Sequence, residues 1–168
     1  MHAHFAKLVL VFTLILLIGL VSWGCGEKEQ ASNPQGYNFT LPDLQGQKIS
    51  FSDFQGRVIL VNFWAPWCGP CRMEIPDLIA LHEEYKDDGL QILGVAVAFR
   101  GEASVRGFAE QASINYPILL GNDEVVKNYG GFRGIPTTFL FARDGKLSQK
   151  YVGMRPREVF ERDIQALL

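Results

Sequence analysis

The chain has 168 residues, is 48% hydrophobic and carries a formal net charge of -2 at pH 7. That length supports one compact domain with a real core and is too short for two. Its charges are scattered, with no basic stripe and no like-charge block, which argues against nucleic acid as a partner.

Residues 1–24 read as a signal peptide or membrane anchor. Lys7 and the N-terminal amine precede Leu8 to Val21, an apolar run broken only by Thr13 and Gly19, and Ser22-Trp23-Gly24-Cys25 closes it. The uncharged stretch continues to Gly26, nearly long enough to span a bilayer as an uncleaved helix. A small residue directly before Cys25 resembles the bacterial lipoprotein signal, in which the cysteine is lipidated and becomes the new N-terminus. Ser22 and Gly24 equally satisfy ordinary signal cleavage. Lipid on Cys25, an uncleaved helix and release are thus three outcomes, and each carries the remainder out of the cytoplasm. Lys7 stays inside while Glu27-Lys28-Glu29 follows on the far side. The expected location is extracytoplasmic, on the periplasmic side of a bacterial membrane and in an oxidising compartment.

Residues 25–36, with Ser32, Asn33, Pro34 and Gly36, read as a flexible tether, and residues 37–168 as the folded domain. Asn38 to Leu41 and Lys48 to Phe51, split by Pro42 and Gly46, predict a small antiparallel hairpin, with a short helical turn over Ser52 to Gln55. Val58 to Trp64 is a continuous apolar run, the pattern of a central strand covered on both faces. A helix follows to Tyr85, with Pro76 expected to kink it and Gly89 beyond its end. Leu90 to Phe99 predicts the next buried strand, Glu102 to Ala112 an amphipathic helix and Tyr116 to Leu120 a short strand. Asp123 to Tyr129 predicts a short helix capped by Asn122 or Asp123. Gly134 to Phe141 and Lys146 to Val152 form a second hairpin pattern around Asp144-Gly145, and Pro156 to Leu168 a terminal helix. Strands alternating with helices and ending in a hairpin predict an α/β sandwich, a mixed sheet with helices on both faces.

Chemistry concentrates at Trp67-Cys68-Gly69-Pro70-Cys71, where the apolar strand gives way to a helix. Cys68 sits at the helix N-terminus, where unpaired N–H groups and the macrodipole favour a thiolate, so it is the expected nucleophile. Cys71, deeper in, is placed to resolve a mixed disulfide. With three cysteines in all, a disulfide-stapled scaffold is excluded. Zinc would need two more ligands beside the pair; the histidines are His2, His4 and His82, so no metal and no cofactor are expected. His82 itself reads as a surface or boundary residue of its helix.

From about Phe39 onward the chain resembles the thioredoxin superfamily, and within it the membrane-tethered extracytoplasmic thiol-disulfide oxidoreductases of the TlpA and ResA type. Val61-Asn62-Phe63-Trp64-Ala65-Pro66-Trp67-Cys68-Gly69-Pro70-Cys71 followed by Pro76 carries the resemblance, and Arg133-Gly134-Ile135-Pro136-Thr137 adds a second motif. The stretch from about Arg100 to Leu120 matches the insertion of that branch. The resemblance implies a thioredoxin-like three-layer sandwich and a redox-active Cys68–Cys71 disulfide. It implies a cis bond before Pro136, with the backbone of Ile135 facing an extended substrate segment and Trp67 shielding the thiols and contacting partners.

Where thioredoxins carry a buried aspartate this chain has Asn62, which cannot exchange a proton near neutral pH. Glu74 lies three residues after Cys71, where the ResA-type branch also has a glutamate, and is the expected proton carrier. Arg72 and Arg133 read as solvated.

The expected activity is dithiol-disulfide exchange that reduces protein substrates, with the haem-binding CxxCH disulfide of apocytochrome c as one substrate the resemblance implies. It also implies a membrane thiol-reductant transporter as electron donor; a monomer is expected. A thiol oxidase and a copper-delivery protein on the same fold are the alternatives. The second needs a histidine near Pro136, and none follows His82. A peroxiredoxin-type peroxidase would need a lone cysteine preceded by Thr and Pro, whereas Pro66-Trp67 precede Cys68. A redox-inert binding module is disfavoured by two intact thiols.

Overall fold

A computed structural model of the chain describes residues 36–98 and 100–168. The expected signal or anchor at 1–24, the lipidation of Cys25, and all of the tether but Gly36 lie outside the described residues. Among the described residues, no helix is long and apolar enough to cross a membrane.

Strand β1 (Thr40–Pro42) pairs antiparallel with β2 (Lys48–Ser50) as a sheet of its own. Their turn is held by Asp43, whose Oδ1 accepts from the Gln45 and Gln47 N–H groups at 2.8 Å each. Phe51–Phe54 then forms a 3-10 turn one residue earlier than expected, because Asp53 Oδ2 accepts from Ser50 N–H and starts the turn there.

The main sheet has five strands, with β3 (Val58–Trp64) at its centre. β4 (Leu90–Ala96) lies parallel to β3, and β5 (Ile118–Leu120) parallel to β4. On the other side β6 (Thr137–Phe141) runs antiparallel to β3, and β7 (Leu147–Val152) antiparallel to β6. Helix α1 spans Gly69–Tyr85 and passes unbroken through Pro76; α2 spans Glu102–Gln111, α3 Asp123–Asn128 and α4 Arg157–Gln165.

Every residue of β3 is buried, yet its alternate side chains enter two separate cores. Val58, Leu60 and Trp64 face Ile75, Leu78 and Leu81 of α1, Val105 of α2 and Phe160 and Ile164 of α4. Ile59, Val61 and Phe63 face the hairpin and α3, in a core dominated by aromatics. Tyr129 is the hub there. Its ring meets Phe63 at 4.9 Å and Phe139 at 4.8 Å edge-on, and its hydroxyl donates to the Tyr37 carbonyl at 2.9 Å. The expected mixed sheet with helices on both faces is what the chain forms.

Two local expectations change. β4 ends at Ala96, not Phe99, because Ala98 takes a positive φ of 51° that no strand continues. His82 is not a surface residue. It is 8% exposed, since the buried stripe of α1 (Cys71, Glu74, Ile75, Leu78, Leu81, His82, Tyr85) is wide enough to include it. Its ring packs edge-on to Tyr116, and burial lowers its pKa.

Close approach of backbones decides one glycine. Gly121 N–H donates to the Ala96 carbonyl at 2.8 Å, and a Cβ at 121 would stand 2.8 Å from that same oxygen. Gly121→Ala is therefore expected to cost about 1–3 kcal/mol in urea unfolding of the oxidised protein, because the facing backbone cannot move aside as a side chain would. A midpoint equal to wild type would contradict this.

Candidate active site

The end of β3 delivers the chain to the site. The Trp64 carbonyl still accepts from Val97 N–H at 2.9 Å, tying β3 to the segment after β4, and Cys68 N–H closes a turn onto the Ala65 carbonyl at 3.0 Å. Cys68 becomes the N-cap of α1. Its Sγ accepts from Cys71 N–H at 3.2 Å, and Pro70 occupies the first turn, where its missing N–H costs nothing.

Cys68 and Cys71 are joined as a disulfide with Cα atoms 5.3 Å apart. Cys68 is 4% exposed and Cys71 1%, so Cys68 is the more accessible residue of the pair. On reduction the Cys71 N–H and the helix N-terminus both favour negative charge at Cys68, which suits it to attack. The Ile135–Pro136 bond is cis, as expected, and the Ile135 carbonyl oxygen lies 3.7 Å from Cys68 Sγ. In the disulfide that sulfur has no proton to donate, so this is a packing contact.

Glu74 is 2% exposed, one turn beyond Cys71. Its Oε1 accepts from the Arg155 backbone N–H at 3.0 Å and its Oε2 from Asn62 Nδ2 at 3.0 Å. Burial raises its pKa from an ordinary 4.5 to about 7, outweighing the two donors and the Arg155 charge, which pull it down. A carboxyl half-protonated near neutral pH can both take and return a proton, as a proton carrier must.

Trp67 is 61% exposed, and its indole N–H donates to the Ala98 carbonyl at 2.9 Å. Beside it a depression of about 320 Å³ is lined by Trp67, Ala98, Asn122, Phe132, Arg133 and Ile135, among others. The described residues expose four large hydrophobic side chains: Trp67, Met73, Val152 and Met154. Each lies next to a residue of the site, in the chain or across a strand pair. Trp67 and Met73 flank the CxxC in sequence, Val152 pairs with Thr137 next to Pro136, and Met154 precedes the Arg155 N–H that holds Glu74.

The structure thus brings Trp67, Cys68, Cys71, Glu74, Ile135 and Pro136 to one end of the sheet. Arg133 and Arg72 are both exposed, as expected, and the Arg72 guanidinium also lies over the Phe108 ring at 5.3 Å. Sequence reasoning missed the amide of Asn62 as a donor to Glu74, and with it Thr138 and the Arg155 backbone. Asn62 and Thr138 betray themselves only through strand register, and a backbone N–H leaves no signature at all. Among the described residues, no group of three or more His, Cys, Asp and Glu side chains can hold a metal ion.

Comparison with known proteins agrees with this geometry. The AhpC/TSA family profile matches residues 34–150. The thiol-disulfide oxidoreductase ResA of Bacillus thuringiensis subsp. konkukian is 33% identical over 158 residues, 90% of this chain and 90% of that protein. ResA of Geobacillus kaustophilus is 35% identical over 130 residues, 77% of this chain and 74% of that protein. Among solved structures, a thiol:disulfide interchange protein of the thioredoxin family from Chlorobium tepidum superposes with a TM-score of 0.72 at 29% identity, covering 77% of this chain and 92% of that one.

The raised Glu74 pKa has a consequence for stability. The unfolded chain releases this proton near pH 4.5, and the folded oxidised protein holds it until about 7. In that window the folded state binds more protons, so this group's contribution to stability falls as pH rises. The drop is on the order of 3 kcal/mol between pH 4.5 and pH 8. Denaturant unfolding of wild type and Glu74→Gln across that range should show the variant gaining on wild type as pH rises. Parallel curves would refute the raised pKa.

Proposed function

The chain belongs to the AhpC/TSA family with its thioredoxin-like fold and is a thiol-disulfide oxidoreductase, and we propose that it reduces disulfides of exported proteins from the outer face of a bacterial membrane. The observation that carries this reading is the Cys68–Cys71 disulfide with a buried carboxyl, pKa about 7, one helical turn away. The apolar rim of Trp67, Met73, Val152 and Met154 favours a polypeptide substrate over a small molecule. Within the family, a CxxC whose two sulfurs pair with each other supports dithiol exchange over peroxidase chemistry.

In this reading Cys68 thiolate attacks one sulfur of a substrate disulfide. A Cys68–substrate S–S bond forms and the first substrate thiolate leaves, to be protonated. Glu74 takes the proton of the Cys71 thiol, and Cys71 thiolate then attacks Cys68 Sγ, forming the Cys68–Cys71 bond and expelling the second substrate thiolate. Two electrons pass to the substrate, and Glu74 returns its proton to a departing thiolate. Trp67, Ile135 and Pro136 line the substrate's path, with the Ile135 backbone offered to an extended segment.

The oxidised enzyme then needs a donor, for which a membrane thiol-reductant transporter is the fitting partner. The apocytochrome c CxxCH disulfide is the proposed substrate. Residues 1–24 act as signal or anchor, 25–36 as tether and 37–168 as the working domain, held to the membrane by lipid on Cys25 or by an uncleaved helix.

Cys71→Ser should stall the mixed disulfide at Cys68, and mass analysis of trapped species should return exported proteins with paired cysteines, apocytochrome c among them. Trapping of none would refute the reading. Direction is read from the potential of the purified protein. A value in the reducing range of thioredoxin, about -270 mV, is expected, and one near about -120 mV would make it an oxidase. Exchange rate against pH should lose its inflection near 7 in Glu74→Gln; superimposable profiles would remove Glu74 from the mechanism.

A further inference from the structure

Asn62 sits in the middle of β3, 1% exposed, on the face that carries Leu60 and Trp64. Strand register sets it opposite Thr138 of β6. Its Nδ2 donates to Glu74 Oε2 at 3.0 Å and to Thr138 Oγ1 at 2.8 Å. An amide nitrogen has two hydrogens, so both are used. An ionised carboxylate only accepts, so turning the amide would set its carbonyl oxygen against Glu74, and that repulsion keeps Nδ2 toward the carboxylate, while the second bond, to Thr138, holds the amide in place.

We propose that Asn62, held in place by Thr138, is a positioning residue that fixes the Glu74 carboxylate one helical turn from Cys71 and tunes its affinity for a proton. This rests on the reading of Glu74 as proton carrier. It also gives a reason for asparagine where thioredoxins have an acid. An aspartate at 62 would stand within hydrogen-bond distance of Glu74, and two carboxyls that close share one proton and titrate as a pair. Asn62 keeps the shape and supplies only donors, so Glu74 titrates alone. The other groups that act on Glu74 are the Asp77 carboxylate of the next turn of α1, which repels its charge, and the Arg155 guanidinium after β7, which attracts it. The buried Tyr116 hydroxyl also feels the Glu74 charge, and the paired sulfurs carry none.

The test follows the Glu74 carboxyl itself, by carbon NMR of the oxidised full chain in detergent micelles, its resonance identified by its absence in Glu74→Gln. Loss of one hydrogen bond to the charged form should raise the Glu74 midpoint by about one to two pH units in Asn62→Ala. Thr138→Val should raise it by less, and Thr138→Ser, which keeps the hydroxyl, should restore the wild-type value. An unchanged midpoint in a folded Asn62→Ala overturns the proposal. Should that variant not fold, equal midpoints in Thr138→Val and Thr138→Ser overturn it instead. Exchange rates are measured alongside. If they ignore the Glu74 titration in wild type while the midpoint still moves in Asn62→Ala, the proton-carrier reading fails and the positioning role stands.

Discussion

A carboxyl group has to be kept out of water and still supplied with donors for the rest of this site to make sense. Glu74 meets both demands: the α1 stripe carries it under the surface, and Asn62 from β3 and the Arg155 backbone after β7 each reach one of its oxygens. Burial alone would push a carboxyl toward permanent protonation, and exposed donors alone would leave it permanently ionised. Their opposition leaves it near the midpoint, and three elements of the fold must be in register for that balance to exist.

That register comes from the central strand. β3 is paired on both edges, so its backbone is satisfied along its length, and its side chains divide strictly between two cores. The aromatic core fixes the strand from beneath through Phe63 and Tyr129, and the helical core fixes α1 above through Leu60 and Trp64. Asn62 falls between two apolar neighbours on the helical face, where a polar side chain is tolerable only because it has acceptors waiting. The site is therefore built on rigid elements, with Trp67 and Ile135 on the loops they support.

Much of this was legible in the chain. The strand–CxxC–helix junction is local, and its apolar run, N-terminal Pro and fixed spacing state it without tertiary information. Glu74 was reachable because i and i+3 share a helical face. Pro136 came through the motif resemblance. What escaped was long-range or nameless. Asn62 and Thr138 are 76 residues apart, and only strand pairing brings them together. Arg155 acts through its backbone, which any residue would supply. His82 differs from expectation because a polar residue at the edge of an apolar stripe looks like the boundary of that stripe, and how far the stripe is covered depends on Tyr116, itself outside the helix.

One short segment after β7 gathers these threads. Gly153 N–H donates to the Pro136 carbonyl at 2.8 Å, and two residues on Arg155 N–H donates to Glu74. Between them stands Met154, part of the apolar rim. The same three residues thus clasp both the loop that carries the cis-proline and the buried acid. An exposed side chain is thereby fastened on one side to the cis-proline loop and on the other to the buried acid, so a displacement of Met154 would be felt at both.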